Sequence, residues 1–317
     1  MFKSTTLGTI LIGSLLSTAA FAQDYPNRDI DLVVPFAPGG SVDVTSRLIA
    51  ETANKFLEGS SVVISNRAGG GGIVGQSYVA IAQPDGYTIL AMTSSVVTNP
   101  QLKGAPYKIG DFTPVAAYNI DPEVIAVPAS SPFKTIDDFV AATKESPLNI
   151  TVAGIGTSHH MAGLALTSSA GLEFNYIPAN GFGEQLQAVV GGHADGAFWP
   201  MGEAASHAQA GTVRLLAVAS DSRDPNFPDV PTFEEAGLNV PIWATFRGWA
   251  VPADTPQAEV TFLSDLMKKV FEDEAYKQKM EEAGFAPIFR DAAAFNTIIT
   301  SYSDQAVAII NDNGLAN

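Results

Sequence analysis

Two short stretches of this 317-residue chain carry the residue types that hold an anion without a basic side chain. Pro38-Gly39-Gly40-Ser41 follows the apolar run Leu32-Val33-Val34, and Gly154-Ile155-Gly156-Thr157-Ser158 follows Asn149-Ile150-Thr151-Val152. Both read as a buried strand, a glycine turn and a hydroxyl-bearing helix start. The first N–H groups of a helix lack intrahelical acceptors and lie at the positive end of its dipole. Each stretch is therefore a seat for a carboxylate or phosphate. The helices that follow carry Val44, Leu48, Ile49 and Phe56 in the first case, and Met161, Leu164, Ala165 and Ser168 in the second. Two such seats far apart in the chain predict two lobes, each offering a helix N-terminus to one cleft.

Other residue types were weighed for catalysis. Ser158 adjoins His159, but neighbours at a helix start rarely face each other as nucleophile and base, and no Gly-x-Ser-x-Gly elbow is present. His159, His160, His193 and His207 include no i,i+4 pair and no His-Glu-x-x-His, so no metal site is expected. The chain has no cysteine, which excludes disulfides, thiolate catalysis and a lipid-modified cysteine. Gly70-x-Gly72-x-x-Gly75 matches the dinucleotide fingerprint formally, yet Asp85 lies in a Pro-Asp-Gly turn where that fingerprint needs an acid at a strand end. The glycines read as a tight strand–helix turn, and no cofactor is expected. Thr93-Ser94-Ser95 ends a strand, where it serves either a ligand or a turn. Asp43 either caps its own helix or receives a ligand ammonium or hydroxyl. Arg67 and Arg247 offer planar forks to a carboxylate, but Arg47, Arg214 and Arg223 are equally available and no single arginine is favoured.

The elements that must position these residues follow a strand–helix rhythm. Strands are expected at 61–66, 87–92, 115–119, 124–127, 174–177, 194–198, 214–219 and 245–251. Asn99-Pro100 to Pro114 reads as a connection, and helices are expected from Thr135, over 184–190, and at 259–272, 274–283 and 292–311. This rhythm predicts an α/β fold whose sheets are mostly parallel with crossover helices. Lys3, the apolar stretch Leu7 to Ala20 and Ala20-Phe21-Ala22 form a signal peptide over residues 1–22, too short in its apolar part for the ~20 residues of a spanning helix. Export to the periplasm is the expectation. The formal net charge of −16, one unit more negative once Lys3 is removed, argues against nucleic acid and anionic membrane surfaces as partners.

An ordered set of motifs resembles one family. Tyr25-Pro26, Val33 to Gly40 with Asp43 and Arg47, Asn66-Arg67, Pro84-Asp85-Gly86-Tyr87, Asn99-Pro100, Asp111 to Val115, Gly156 to His159, Asp229 to Thr232 with Glu235-Ala236-Gly237, and Pro252 to Pro256 occur in sequence. Together they resemble the Bug receptors, the substrate-binding proteins of tripartite tricarboxylate transporters, along essentially the whole chain after the leader. The resemblance implies a two-lobed, Venus-flytrap periplasmic-binding-protein fold, with 23–122 plus 246–317 as one lobe and 123–245 as the other. It implies a monomeric, non-catalytic receptor that closes on a small organic carboxylate and hands it to membrane permease subunits. An orphan receptor serving a sensor kinase and a secreted enzyme acting on carboxylates are the alternatives. The implied ligand contacts are Phe36, Ala37, Pro38, Gly39, Gly40, Ser41, Asp43, Ser94, Ser95, Thr157, Ser158, His159 and His160. Ala179, Asn180, Trp199, Pro200 and Met201 are implied for the distal end. Where many relatives carry a basic or aromatic pair, this chain has Ala179-Asn180; where many carry Asp-Asn, it has Trp199-Pro200. Loss of that acid and gain of an indole favour a carboxylate with an apolar or aromatic body, or a dicarboxylate, over an amino acid or a citrate-like tricarboxylate.

Overall fold

Apolar runs bounded by turn residues form the strands, and the helices between them bury one face or, for the most apolar, almost their whole surface. The structure is a computed structural model that describes residues 25–240 and 243–316, so the leader expected over 1–22 lies outside the described residues. β1 (Ile30–Val34) runs into α1 (Ser41–Ala53), β2 (Val62–Asn66) into α2 (Ile73–Ala80), and β3 (Thr88–Thr93) into α3 (Ser95–Lys103). A long strand, β4 (Phe112–Pro128), follows. Then come α4 (Ile136–Glu145), β5 (Leu148–Val152), α5 (Ser158–Ala170), β6 (Phe174–Pro178) and α6 (Phe182–Val190). β7 (Gly196–Pro200), α7 (Met201–Gln209) and β8 (Val213–Val218) complete that part. The chain returns through β9 (Ala244–Pro252) to α8 (Gln257–Glu272), α9 (Glu274–Glu282), the short β10 (Arg290–Asp291) and α10 (Ala292–Asp312).

The strands join in the order β2-β1-β3-β9-β4-β7-β5-β6, with β8 and β10 also paired to β4. Parallel ladders occupy the two outer parts, β2-β1-β3 and β7-β5-β6. The two long strands between them run antiparallel to each other and to their neighbours. β4 pairs with β9 from Phe112 to Pro122 and with β7 and β8 from Glu123 to Pro128, so one strand belongs to both halves of the curled sheet.

Two expectations are corrected here. The separate strands at 115–119 and 124–127 are one continuous strand, because Asp121 and Pro122 stay in the ladder to β9. Asp121 and Glu123, between the two expected segments, are buried on that strand. The expected connection after Asn99-Pro100 begins with a helix: α3 holds Pro100 in its interior and stops at Gly104, whose φ of 60° suits glycine. Burial of Val96, Val97, Thr98 and Asn99 offsets the hydrogen bond that proline removes.

One core cluster runs from Val33, Leu90 and Met92 through Phe246, Phe295 and Tyr302 to Ile125 and Phe198. α10 anchors it: Phe295 and Tyr302 pack their rings 5.5 Å and 5.3 Å from Phe246, and Tyr302 lies 4.5 Å from Trp243. Room for Phe295 comes from Gly248 on β9, where an added Cβ would lie 2.3 Å from the ring and 2.7 Å from the Ala116 carbonyl. Gly248→Ala should therefore lower unfolding free energy by about 1–3 kcal/mol, read as a reduced denaturant midpoint. An unchanged midpoint would show that α10 is not seated this tightly.

Candidate functional site

Five helices present their N-cap residues to one cavity: Gly40 for α1, Ser94 for α3, Thr157 for α5, Gly181 for α6 and Pro200 for α7. The cavity holds about 490 Å³, part of it open to solvent. Phe36, Val42 and Phe182 supply apolar wall; Thr93, Ser95, Ser158 and Thr245 supply hydroxyls; His159, Glu203 and Arg247 supply the ionisable groups. Each helix start brings amides without intrahelical acceptors, so the positive dipole ends converge.

Arg247 organises the floor. It is 1% exposed on β9, and its guanidinium donates to Asn119 Oδ1, to Asp121 Oδ2 at 3.1 Å and to Ser41 Oγ at 2.7 Å. Asp121 also accepts the Gly202 amide of α7 at 3.1 Å. The Ser41 amide, in turn, donates to Glu203 Oε1 at 3.2 Å. The start of α1 is thus capped by a carboxylate from α7.

Three acids are buried here, and burial pushes each above the ordinary carboxylate value. Asp121 is pushed up to about 6 despite the opposing Arg247. Glu203 is raised by burial, with Arg247 and its bond to Ser41 acting against that. Glu123 rises furthest; its carboxyl oxygens make no hydrogen bond of acceptable geometry, although Ser158 lies alongside. His159 moves the other way, to about 3, through burial and the nearby Arg247, and is neutral.

Ten of the expected contacts line the cavity: Phe36, Ala37, Gly40, Ser41, Ser94, Ser95, Thr157, Ser158, His159 and Pro200. The other eight do not. Pro38 and Gly39 lie on the outer side of the turn. Asp43 is 3% exposed and committed to its own surroundings: it accepts from the Gly39 amide at 2.9 Å, from Arg47 at 2.9 Å and 3.0 Å, and from Asn66 at 2.9 Å. His160 turns away, accepting the Gly156 amide at 3.3 Å and packing 4.6 Å from the Tyr176 ring. Asn180 bonds Glu184 at the surface, and Ala179 precedes it on the same loop. Met201 faces a groove beside Asp121 and Phe285. Trp199 is fully buried among Val124, Ala126 and Ala204, so the expected indole wall is absent from the cavity. Phe182 takes that place, its ring 5.1 Å from Trp199 and edge-on to it.

Among the arginines left open, only Arg247 reaches the cavity. Arg67 stacks over Tyr78 at 3.7 Å, Arg47 pairs with Asp43, Arg214 bonds the Ala129 and Phe133 carbonyls, and Arg223 pairs with Glu235. Glu203, Thr245 and the buried acids of β4 were not expected. Lone charges inside apolar strands, Asp121 and Glu123 on β4 and Arg247 on β9, are the signal that points to them. Among the described residues no group of three or more His, Cys, Asp or Glu is arranged to hold a metal.

Residues 45–315 match the model of a family described as tripartite tricarboxylate transporter family receptor, TctC. A UPF0065 protein in the tcbD-tcbE intergenic region of a Pseudomonas species is 36% identical over 297 residues, covering 88% of this chain and 86% of that protein. A solved R. palustris protein with adipate superposes with a TM-score of 0.87 at 28% identity, covering 92% of this chain and 99% of that one. MatC from Rhodopseudomonas palustris with bound malate gives a TM-score of 0.85 at 26% identity, over 90% and 100% of the two chains.

The buried acids make stability depend on pH in a defined direction. Asp121, at about 6 when folded, binds its proton more tightly than in the unfolded chain, where a value of about 3.9 applies. Stability should therefore fall as pH rises from about 4 through 6, and Glu123 and Glu203 act in the same sense. Asp43, held below the usual carboxylate value by Arg47, Gly39 and Asn66, loses its contribution only at lower pH. His159 and His160, lowered by burial to about 3 and about 4, act in the opposite sense below pH 6.5, so the acids' slope is read as the difference between the wild type and a variant. Glu123→Gln should raise the denaturant midpoint at pH 7.5 and remove its part of that slope; a destabilised variant with the pH profile of the wild type would contradict this.

Proposed function

Because the chain belongs to the family of tripartite tricarboxylate transporter receptors, we propose that it captures a small organic carboxylate in this cavity and delivers it to the membrane subunits of such a transporter. The observation that carries this reading is the meeting of five helix N-caps around one cavity. Amide ends favour an anion at contact distance, where the overall charge of −16 is least able to oppose it. Glu203 occupies the Ser41 amide and Asp121 the Gly202 amide, which leaves the next amides of α1 and those opening α3, α5 and α6 for a ligand carboxylate. The adipate and malate named for the two R. palustris proteins are small acids of the kind proposed.

The expected lobes, 23–122 with 246–317 and 123–245, meet where β4 passes from its ladder with β9 to its ladders with β7 and β8, and where the chain enters β9. Rotation about those strands would bring the starts of α1 and α3 against those of α5 and α6. Ligand contacts made to both sides then favour the closed arrangement. The site lacks a nucleophile–base pair: His159 Nδ1 lies 3.2 Å from Gln185 Nε2, an arrangement that holds the ring without activating Ser158. The function proposed is therefore capture without turnover, in the periplasm, after removal of residues 1–22.

A thermal-shift screen with mono-, di- and aromatic carboxylates tests this directly, because a ligand of the folded state raises the melting temperature. The companion variant is Gly40→Asp. Its Cβ would have 3.8 Å to the nearest atom and a φ of −80°, and Asp is a favoured N-cap, so the fold should survive. The side chain would place a charge opposite Phe182 at the start of α6. At least one acid should raise the wild-type melting temperature and fail to raise that of Gly40→Asp. Equal shifts in both proteins would remove the carboxylate from this cavity.

A further inference from the structure

Among the described residues that line the cavity, two buried side-chain polar atoms, Glu203 Oε2 and Arg247 Nε, have no partner in the protein. Glu203 is 8% exposed, its Oε1 holds the Ser41 amide, and its Oε2 makes no hydrogen bond. Oε2 faces His159 Nε2 across 3.9 Å, too far for a direct hydrogen bond. The His159 ring has its proton placed by its other nitrogen. Gln185 Nε2 donates to the Thr151 carbonyl at 3.2 Å, which orients the amide, and the same nitrogen lies 3.2 Å from His159 Nδ1. We assign Nδ1 as the acceptor and Nε2 as the nitrogen that carries the hydrogen, with the Phe198 carbonyl also beside the ring. A donor and a carboxylate oxygen consequently face each other at the cavity wall.

From this pair, and resting on the carboxylate reading above, we infer that His159 and Glu203 form a specificity site for a hydroxyl group, so that the ligand is a hydroxycarboxylate. A hydroxyl oxygen about 2.8 Å from both atoms accepts from Nε2–H and donates to Oε2. An ammonium only donates, so it satisfies Glu203 and confronts the His159 hydrogen. A methylene leaves both groups desolvated and unpaired, and a keto oxygen only accepts, setting two acceptors against each other at Oε2. Sites built around a hydrogen-bonded group reject analogues that lack it more strongly than apolar pockets reject bulk.

The test is calorimetric titration with acids that share a skeleton and differ at one carbon. Propionate, lactate, alanine and pyruvate form one set; succinate, malate, aspartate and oxaloacetate form a second. Phenylacetate, mandelate, phenylglycine and benzoylformate form a third. In at least one set the hydroxy acid should bind about tenfold or more tighter than each of its three analogues. Glu203→Gln should bring the ratio of hydroxy-acid to deoxy-acid affinity to about one, a ratio that general loosening of the fold would not alter selectively. Binding of deoxy, keto or amino acids as tightly as the hydroxy acid overturns the hydroxyl assignment and leaves the carboxylate reading standing. A preference retained in Glu203→Gln overturns it as well. Silence from every acid overturns both readings, and the wild-type ratios decide the matter even if the variant fails to fold.

Discussion

The buried guanidinium of Arg247 is the interaction on which the rest of the structure depends. A cation that is 1% exposed is costly unless its charge is met, and here Asp121 meets the charge while Asn119, Asp121 and Ser41 bond the terminal nitrogens, leaving Nε without a partner. Those partners belong to β4 and to the first turn of α1. Asp121 passes the connection on to the Gly202 amide of α7, and Glu203 of α7 returns it to the Ser41 amide. The loop of contacts fastens two helix starts to β4, which runs through both halves of the sheet, and to its neighbour β9. Removing Asp121 or Arg247 leaves the other's buried charge uncompensated.

That arrangement explains how an acidic chain supports an anion site. The favourable potential comes from helix ends, which need no net charge, while the single cationic side chain at the cavity is largely committed to Asp121. Glu123 is displaced toward its neutral form by burial. Electrostatics inside the cavity are thus local, set by which amide or carboxylate touches which atom, and nearly independent of the surface charge.

Much of the fold was legible because its signals are local. The glycine turns after β1 and β5 and the Thr135–Asp138 capping box of α4 are short-range patterns, and each lies where the spacing predicts. What escaped depends on partners distant in the chain. Arg247 and Asp121 are 126 positions apart, and Ser41 and Glu203 are 162 apart. Trp199 was assigned to the cavity wall by the resemblance alone; all five residues of β7 are buried, so alternation does not say which face the indole takes. Asp43 carried two readings, and the nearby amides and Arg47 select the capping one. α3 was hidden by Pro100, a local breaker overruled by the core against which the helix packs.

The most direct measurement of the central claim is a crystal structure of the protein with the acid that raises its melting temperature most. The account predicts a carboxylate within about 3 Å of the amides that open α5 or α6, with Phe182 against the ligand's carbon body. A ligand seated outside this cavity, for example in the groove beside Lys277 and Phe285, would contradict it.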